Sequence, residues 1–177
     1  MNSLSIRLMV SAGVWIMLVL IVGGVSLSFA FQQSADASFR RQLEVSVNAL
    51  IAMADFQENQ TLTVSRSLDD PRFEQALSGW YWQISAGDTT LAHSWSLWDA
   101  SLPLAVPASN LGRFGATTFQ GPRGRALWAS YLTLQIEGFQ TPVRFMVAGD
   151  ISDLIQDRRK FDLVLTLSLL ALGVGVL

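Results

Sequence analysis

His93 is the first residue to consider for chemistry, because it is the one histidine of the chain. A zinc centre is built from several His, Cys and carboxylate ligands, and the chain contains no cysteine. No serine stands in the pattern of a nucleophile elbow, so a serine triad with His93 has no sequence support. We therefore interpret His93 as a structural residue of a strand, and we predict no catalytic residue.

Acidic side chains offer a second kind of chemistry, the binding of a hard cation such as calcium. The candidates are Asp69, Asp70, Asp88 and Asp99. Such a cation needs several oxygen ligands that converge on one point, whereas these residues are scattered along the sequence. This spacing favours capping or solvated roles, so we predict no metal ligand.

Arginines offer a third possibility, because a guanidinium group binds carboxylate or phosphate. The candidates are Arg113, Arg123, Arg125 and Arg144. Their context is typical of ordinary surface charge, which is the role we expect. The nearby segment 121–124 lacks the terminal Gly-Lys-Ser/Thr of a phosphate loop and is predicted to be a turn. No cofactor-binding residue is predicted, and the ligand-binding residues stay unknown.

Tryptophans form the most conspicuous aromatic group. Those of the middle region are expected in the core rather than in a ligand cage: Trp80, Trp82, Trp95, Trp98 and Trp128. Residues 59–61, Asn-Gln-Thr, have the form of a glycosylation acceptor, which would be incidental in a bacterial protein. A net charge of −2 gives no electrostatic reason to expect nucleic acid as a partner.

Two apolar stretches frame the chain. No charged residue occurs from Leu8 through Ala35, and the segment 8–31 is long enough for a transmembrane helix. A second apolar run, 161–177, contains one charge, Asp162. We predict a short cytoplasmic N-terminus (1–7), a first transmembrane helix (8–31), a folded domain outside the cytoplasm (32–160), and a second transmembrane helix (161–177) in which the sequence stops.

Two alternatives concern the first apolar segment. It could be a signal peptide cleaved near Ala30, although its apolar run is longer than that of a typical signal peptide. The sequence indicates the orientation in the membrane only weakly, because the basic residues after the first span and before the second would favour a cytoplasmic middle domain. Long domains translocate largely regardless of charge, so we place the middle domain outside.

The region between the spans predicts a mixed architecture. Residues 32–59 should continue the first helix, because Phe39, Leu43, Val47 and Leu50 recur at helical spacing. A short helix should begin at Asp69–Asp70 and end near Gly79. Strands are predicted at 80–85 and 89–98, joined by a hairpin turn, and at 117–119, 125–136 and 143–149. A final helix capped by Asp150 or Ser152 completes an α+β fold with an antiparallel sheet.

The chain resembles the N-terminal sensory region of proteobacterial two-component sensor histidine kinases. The resemblance lies in the layout and in three stretches: SLDDPRFEQALSGWYWQIS, HSWSLWDASLPL and MVAGDISDLIQDRRKF. It implies a periplasmic sensor domain at 32–160 with a PAS-like fold of the PDC or Cache type, in which a long N-terminal helix covers an antiparallel sheet. It also implies an inner-membrane homodimer that responds to an unknown extracytoplasmic signal.

The catalytic half of such kinases has no counterpart in these residues, which suggests a truncated sequence. The phosphorylated histidine, the ATP site and the contact with a cognate response regulator are expected only in a missing C-terminal part. No cofactor is predicted here, and His93 cannot serve as the phospho-acceptor. Two other hypotheses stay open: the chain could be the sensor half of a chemoreceptor or cyclic-dinucleotide enzyme, or an envelope scaffold protein without a signalling role.

Overall fold

A computed structural model describes residues 3–56, 62–64, 68, 70–103 and 111–176. This part of the chain divides into two compact units. Unit 1 comprises Met1–Ala37 and Asp153–Leu177, and unit 2 comprises Ser38–Ser152. Unit 2 covers a shorter stretch of sequence than the domain predicted for 32–160.

Two long helices carry the apolar segments. Helix α1 runs without interruption over Ser3–Met53, and helix α2 over Ser152–Val176. Within unit 1 the two helices contact each other, for example through the rings of Phe31 and Phe161, which stack with centroids 4.2 Å apart. The prediction that the first apolar segment continues into the helix of the middle region is confirmed.

A five-stranded antiparallel sheet forms the centre of unit 2 among the described residues. Its strands lie in the order β4-β3-β7-β6-β5. Their bounds are β3 Trp80–Ala86, β4 Thr89–His93, β5 Phe114–Gln120, β6 Ala126–Leu134 and β7 Val143–Asp150. A separate short pair joins β1 (Ala54–Phe56) to β2 (Leu62–Val64). The α+β class and the antiparallel sheet are therefore confirmed.

One face of the five-stranded sheet, which we call the helix face, packs on α1. Leu43, Val47 and Leu50 of α1 are fully buried with Ile84 and Phe145 of the sheet. Side chains alternate between the two faces of a strand, so the residues between these point to the opposite side. The predicted apolar stripe of the helix is thus confirmed from Phe39 to Leu50.

The opposite face, which we call the loop face, carries a second apolar cluster. Tyr81, Leu127, Ala129 and Met146 are buried there. Leu97 and other residues of the segment 95–103 pack against them. The loop face is therefore covered by a connection rather than by a helix.

Several predicted boundaries were wrong. The helix ends at Met53 rather than at residue 59, because Ala54–Phe56 pairs with Leu62–Val64 as a strand. The strand predicted to reach Trp98 ends at His93, after which Trp95–Leu97 forms a 3-10 turn. The short helix predicted to end near Gly79 is one 3-10 turn, Pro71–Phe73, capped by Asp70 as expected. Strand β5 is longer than the three residues predicted for it.

Candidate functional site

A row of buried polar side chains crosses the loop face and is the candidate site. In the register of the sheet, Arg144 of β7 pairs with Ser85 of β3 and with Thr133 of β6, so the three residues lie side by side on adjacent strands. Their exposed fractions are 3%, 8% and 2%, respectively. The prediction that Arg144 is an ordinary surface charge was wrong, because this arginine is buried on the sheet.

Neighbouring residues define the immediate surroundings of Arg144. Its guanidinium carbon lies 5.7 Å from the centroid of the Tyr131 ring, a distance at which a cation is attracted to an aromatic face. Tyr131 in turn covers Gly115 of the edge strand, where a Cβ atom would overlap the ring. Glycine at this position is what allows the ring to lie against the strand.

Gln83 connects the row to the covering segment. Its side-chain oxygen accepts a hydrogen bond of 2.9 Å from the amide of Leu102. Gln83 is buried and lies two residues before Ser85 on the same face of β3. The loop face therefore combines a permanent positive charge with hydroxyl and amide groups, a set that suits recognition of a carboxylate or another small polar anion.

The other candidate arginines do not share this setting. Arg125 forms an ion pair with Asp150, with 3.0 Å between Nη1 and Oδ2. Arg113 and Arg123 are exposed, and Arg123 lies in the 3-10 turn Pro122–Gly124 that confirms the predicted turn. For Arg113, Arg123 and Arg125, the prediction of ordinary surface charge is confirmed.

The predicted acidic candidates have separate environments. Asp70 caps the turn at Pro71, and the hydrogen bond from the Arg72 side chain lowers the pKa of Asp70 below its ordinary value. Asp88 and Asp99 are exposed, while Asp69 and the 59–61 motif lie outside the described residues. Within the described ranges, no group of three or more His, Cys, Asp or Glu side chains is placed to hold a metal ion.

His93 is exposed at the end of β4, and its Nδ1 lies 3.1 Å from the carbonyl oxygen of Ser94. The core prediction holds for Trp80, Trp82 and Trp128, which lie in or against the cluster on the helix face. It was wrong for Trp95 and Trp98, which are 66% and 57% exposed and meet edge to face.

The junction between the sheet and α2 is held by Asp150. Its backbone amide donates to Gly79 O, and its carboxylate accepts from the amide of Ser152, the first residue of α2. Burial raises the pKa of Asp150, but hydrogen bonds from Ser152 and the guanidinium of Arg125 outweigh it, so the pKa lies below its ordinary value. This arrangement agrees with the predicted capping of the final helix.

Unit 1 presents large apolar surfaces. Among the described helices, α1 is long and apolar enough over Ser11–Met53 to cross a membrane, by the criteria of length and composition. Trp15, Val25 and Phe29 of α1 are more than half exposed, and so are Leu163 and Leu170 of α2. Apolar surfaces of this kind are typical of helices in contact with lipid or with another chain. The second span, at 161–177, stays a prediction.

Comparisons of the chain with protein-family models, with curated proteins and with solved structures gave no match.

Proposed function

We propose that this chain is the membrane-anchored sensing module of a two-component sensor histidine kinase. Unit 2 would be a PAS-like periplasmic domain of an inner-membrane homodimer, and the kinase would follow α2 in the full protein. The proposal draws on the sequence resemblance and on the architecture of the two units.

The continuity of α1 is the observation that carries the proposal. One helix contains the uncharged stretch from Leu8 to Ala35, and further along it contains the buried stripe Leu43, Val47 and Leu50. At the other end of the sheet unit, β7 passes into α2 through a single residue, Ile151. A folded domain connected in this way at both ends is suited to pass a conformational change into helices.

The strand order supports the PAS-like assignment. Counted within the sheet along the chain, the strands lie in the order second, first, fifth, fourth, third. The first and last strands, β3 and β7, are therefore neighbours at the centre, and the long helix covers one face. The loop face, which the segment 95–103 covers, carries the buried polar row around Arg144, and we propose it as the ligand-binding side of the domain.

The candidate site gives the proposal a physical mechanism. Arg144 lies on β7, the strand that leads through Asp150 into α2. A ligand that binds one arrangement of this strand better than another shifts the equilibrium by that difference in affinity. Because Asp150 bonds both Gly79 and Ser152, the first residue of α2, we expect a change in β7 to act on the start of α2.

A fusion of the chain to the cytoplasmic core of a reporter histidine kinase, joined after Leu177, tests the proposal in native membranes. Asp150→Ala and Arg125→Ala remove the junction contacts and should change basal autophosphorylation several-fold. Arg123→Ala, an exposed arginine in the adjacent turn, is the matched control and should leave it unchanged. Equal autophosphorylation in all fusions, including one without residues 38–152, would refute coupling to a kinase and favour the scaffold reading.

Topology can be tested separately, because the chain has no cysteine. Asp88→Cys, in the exposed hairpin turn, should react in intact cells with a maleimide that cannot cross the inner membrane. Ser3→Cys should react only after the membrane is opened. The reverse pattern would place unit 2 in the cytoplasm and rule out the periplasmic proposal.

A further inference from the structure

Among the described residues of unit 1, contacts between α1 and α2 include a set of four that we call the ladder. It joins Asp36 to Arg158, Phe31 to Phe161, Ser28 to Asp162, and Gly24 to Leu169. From one contact to the next, the α1 partner has a lower residue number as the α2 partner has a higher one, so the helices are antiparallel. The contacts extend over about 18 Å of helix at a rise of 1.5 Å per residue.

Each contact of the ladder has a different chemistry. Asp36 and Arg158 form an ion pair, and the Phe31 and Phe161 rings are nearly parallel, with an angle of 10° between their planes. Ser28 donates a hydrogen bond of 2.5 Å to the carboxylate of Asp162. Contacts that differ in chemistry cannot replace one another when the helices shift.

The Gly24 contact is steric. The side chain of Leu169 lies directly over Gly24, where a Cβ atom on the glycine would overlap its Cδ1 atom. Gly24 is buried, whereas Val25 beside it is 67% exposed. A residue larger than glycine at this position must therefore displace the end of the Leu169 side chain, and a residue as large as leucine pushes the two helices apart or changes their register.

We infer that the ladder fixes a single antiparallel register, so that α1 and α2 of one protomer do not slide along each other. The inference about register stands on these contacts alone. Its meaning for signalling rests on the proposed function: a signal would pass as a rotation or tilt of the pair, or as a rearrangement between protomers, and not as a piston movement of α2 against α1.

A shift of α2 by one turn toward the C-terminal end of α1 is unfavourable. Asp162 would move from Ser28 to Gln32, which now donates a hydrogen bond of 3.3 Å to Ser28 and offers a replacement donor. The same shift would separate Arg158 from Asp36 and Phe161 from Phe31, and it would bring Asp162 toward the like charge of Asp36. One hydrogen bond is kept, and the ion pair and the ring contact are lost.

A shift by one turn in the opposite direction is also unfavourable. Leu169 would meet the side chain of Leu20 in place of the glycine. Asp162 would lie beside Gly24, which has no side chain to donate a hydrogen bond. A carboxyl group without a partner is costly at the apolar surface of a membrane helix. Both neighbouring registers are thus disfavoured, for different reasons.

Distance measurement between two spin labels tests the register directly. Val14→Cys and Leu163→Cys place labels at exposed positions of the otherwise cysteine-free chain. Since Asp162 contacts Ser28, Leu163 lies close to the level of residue 28 and about 21 Å along the axis from residue 14. Labelled chains would be diluted with unlabelled chains in lipid nanodiscs, so that only distances within one protomer are measured.

The expected result is one narrow distance distribution for the parent chain. Asp162→Leu should broaden it, and Gly24→Leu should move or split it by up to about 5 Å, one helical turn. Gly24→Ala is a milder version in case the larger residue prevents insertion. The matched control is Ser168→Ala, an exposed hydroxyl that bonds the carbonyl of Val164 on its own helix and should change nothing.

Two results would overturn the inference: two parent populations about one turn apart, or an unchanged distribution in both Asp162→Leu and Gly24→Leu. The measurement needs no kinase, so its failure is distinct from failure of the reporter fusion. A single register together with a silent reporter would leave the ladder intact and remove the signalling proposal.

Discussion

Replacement of Leu43 by alanine is the most direct test of how α1 is joined to the sheet. Leu43 is fully buried among side chains of the helix face, and Leu→Ala removes three carbon atoms from that contact. At about 0.8 kcal/mol per buried methylene-sized group, the lost transfer free energy is about 2.4 kcal/mol. The unfilled cavity adds to this, so the free energy of unfolding should fall by about 3–4 kcal/mol.

The same helix provides a matched control. Val45 lies two residues away and is 67% exposed, so Val45→Ala should change the free energy of unfolding by less than about 0.5 kcal/mol. The comparison cancels general effects of replacing a branched side chain by alanine in α1, and it isolates burial against the sheet.

Thermal unfolding followed by tryptophan emission is the suitable assay on the full chain in detergent micelles. Five of the six tryptophans lie in unit 2, so the signal reports mainly on the sheet unit. For a unit of this size, about 3 kcal/mol corresponds to a decrease in Tm of about 12 °C. A Leu43→Ala chain that melts within about 2 °C of the Val45→Ala chain would refute the packing of α1 on the sheet.

Three further predictions follow from unit 2. Trp82→Ala should cost about 3–5 kcal/mol of unfolding free energy in denaturant titration, whereas Trp82→Phe should cost much less, because the buried Nε1 of Trp82 has no hydrogen-bond partner within the described residues. Since the folded-state pKa of Asp150 is lowered, its ionised carboxylate stabilises the fold above the unfolded-state pKa of about 3.9, and this stabilisation is lost as pH falls through the folded-state pKa. Asp150→Asn removes this titration, so the free energy of unfolding should fall less between pH 5 and pH 3 than it does in the parent chain. An unchanged pH profile would contradict this prediction. Gly115→Ala should displace the Tyr131 ring and lower the free energy of unfolding by about 1–3 kcal/mol relative to the parent chain. A Tm equal to that of the parent chain would contradict the predicted clash.

The elements that could be predicted from sequence are those governed by local pattern. The spacing of Leu43, Val47 and Leu50 predicts the buried face of α1, and alternation along 80–85 and 143–149 predicts two central strands. Such patterns are local because they reflect the repeat of the helix and of the strand. The turn around Gly87 and the capping role of Asp70 also depend on neighbouring residues alone, and both predictions are confirmed.

The wrong predictions come from contacts between distant segments. The strand from Thr89 stops early because Ser94 and Ser96 turn their hydroxyls inward, where Ser96 bonds the carbonyl of Trp80 and Ser94 accepts from the amide of Trp82. That turn brings Trp95 and Trp98 to the surface. Tryptophan type alone favours burial, so no signal in the sequence marks these two as exposed.

Sequence by itself determined the uncharged stretch of α1, the α+β class and the residues available for chemistry, because these depend on composition and on short-range repeats. Tertiary structure decided which of four arginines is buried. Arg144 differs from Arg113, Arg123 and Arg125 because its strand, β7, lies at the centre of the sheet, where Ser85 and Thr133 flank it on both sides. Strand order is set by long-range pairing, and long-range pairing is what a local pattern does not contain.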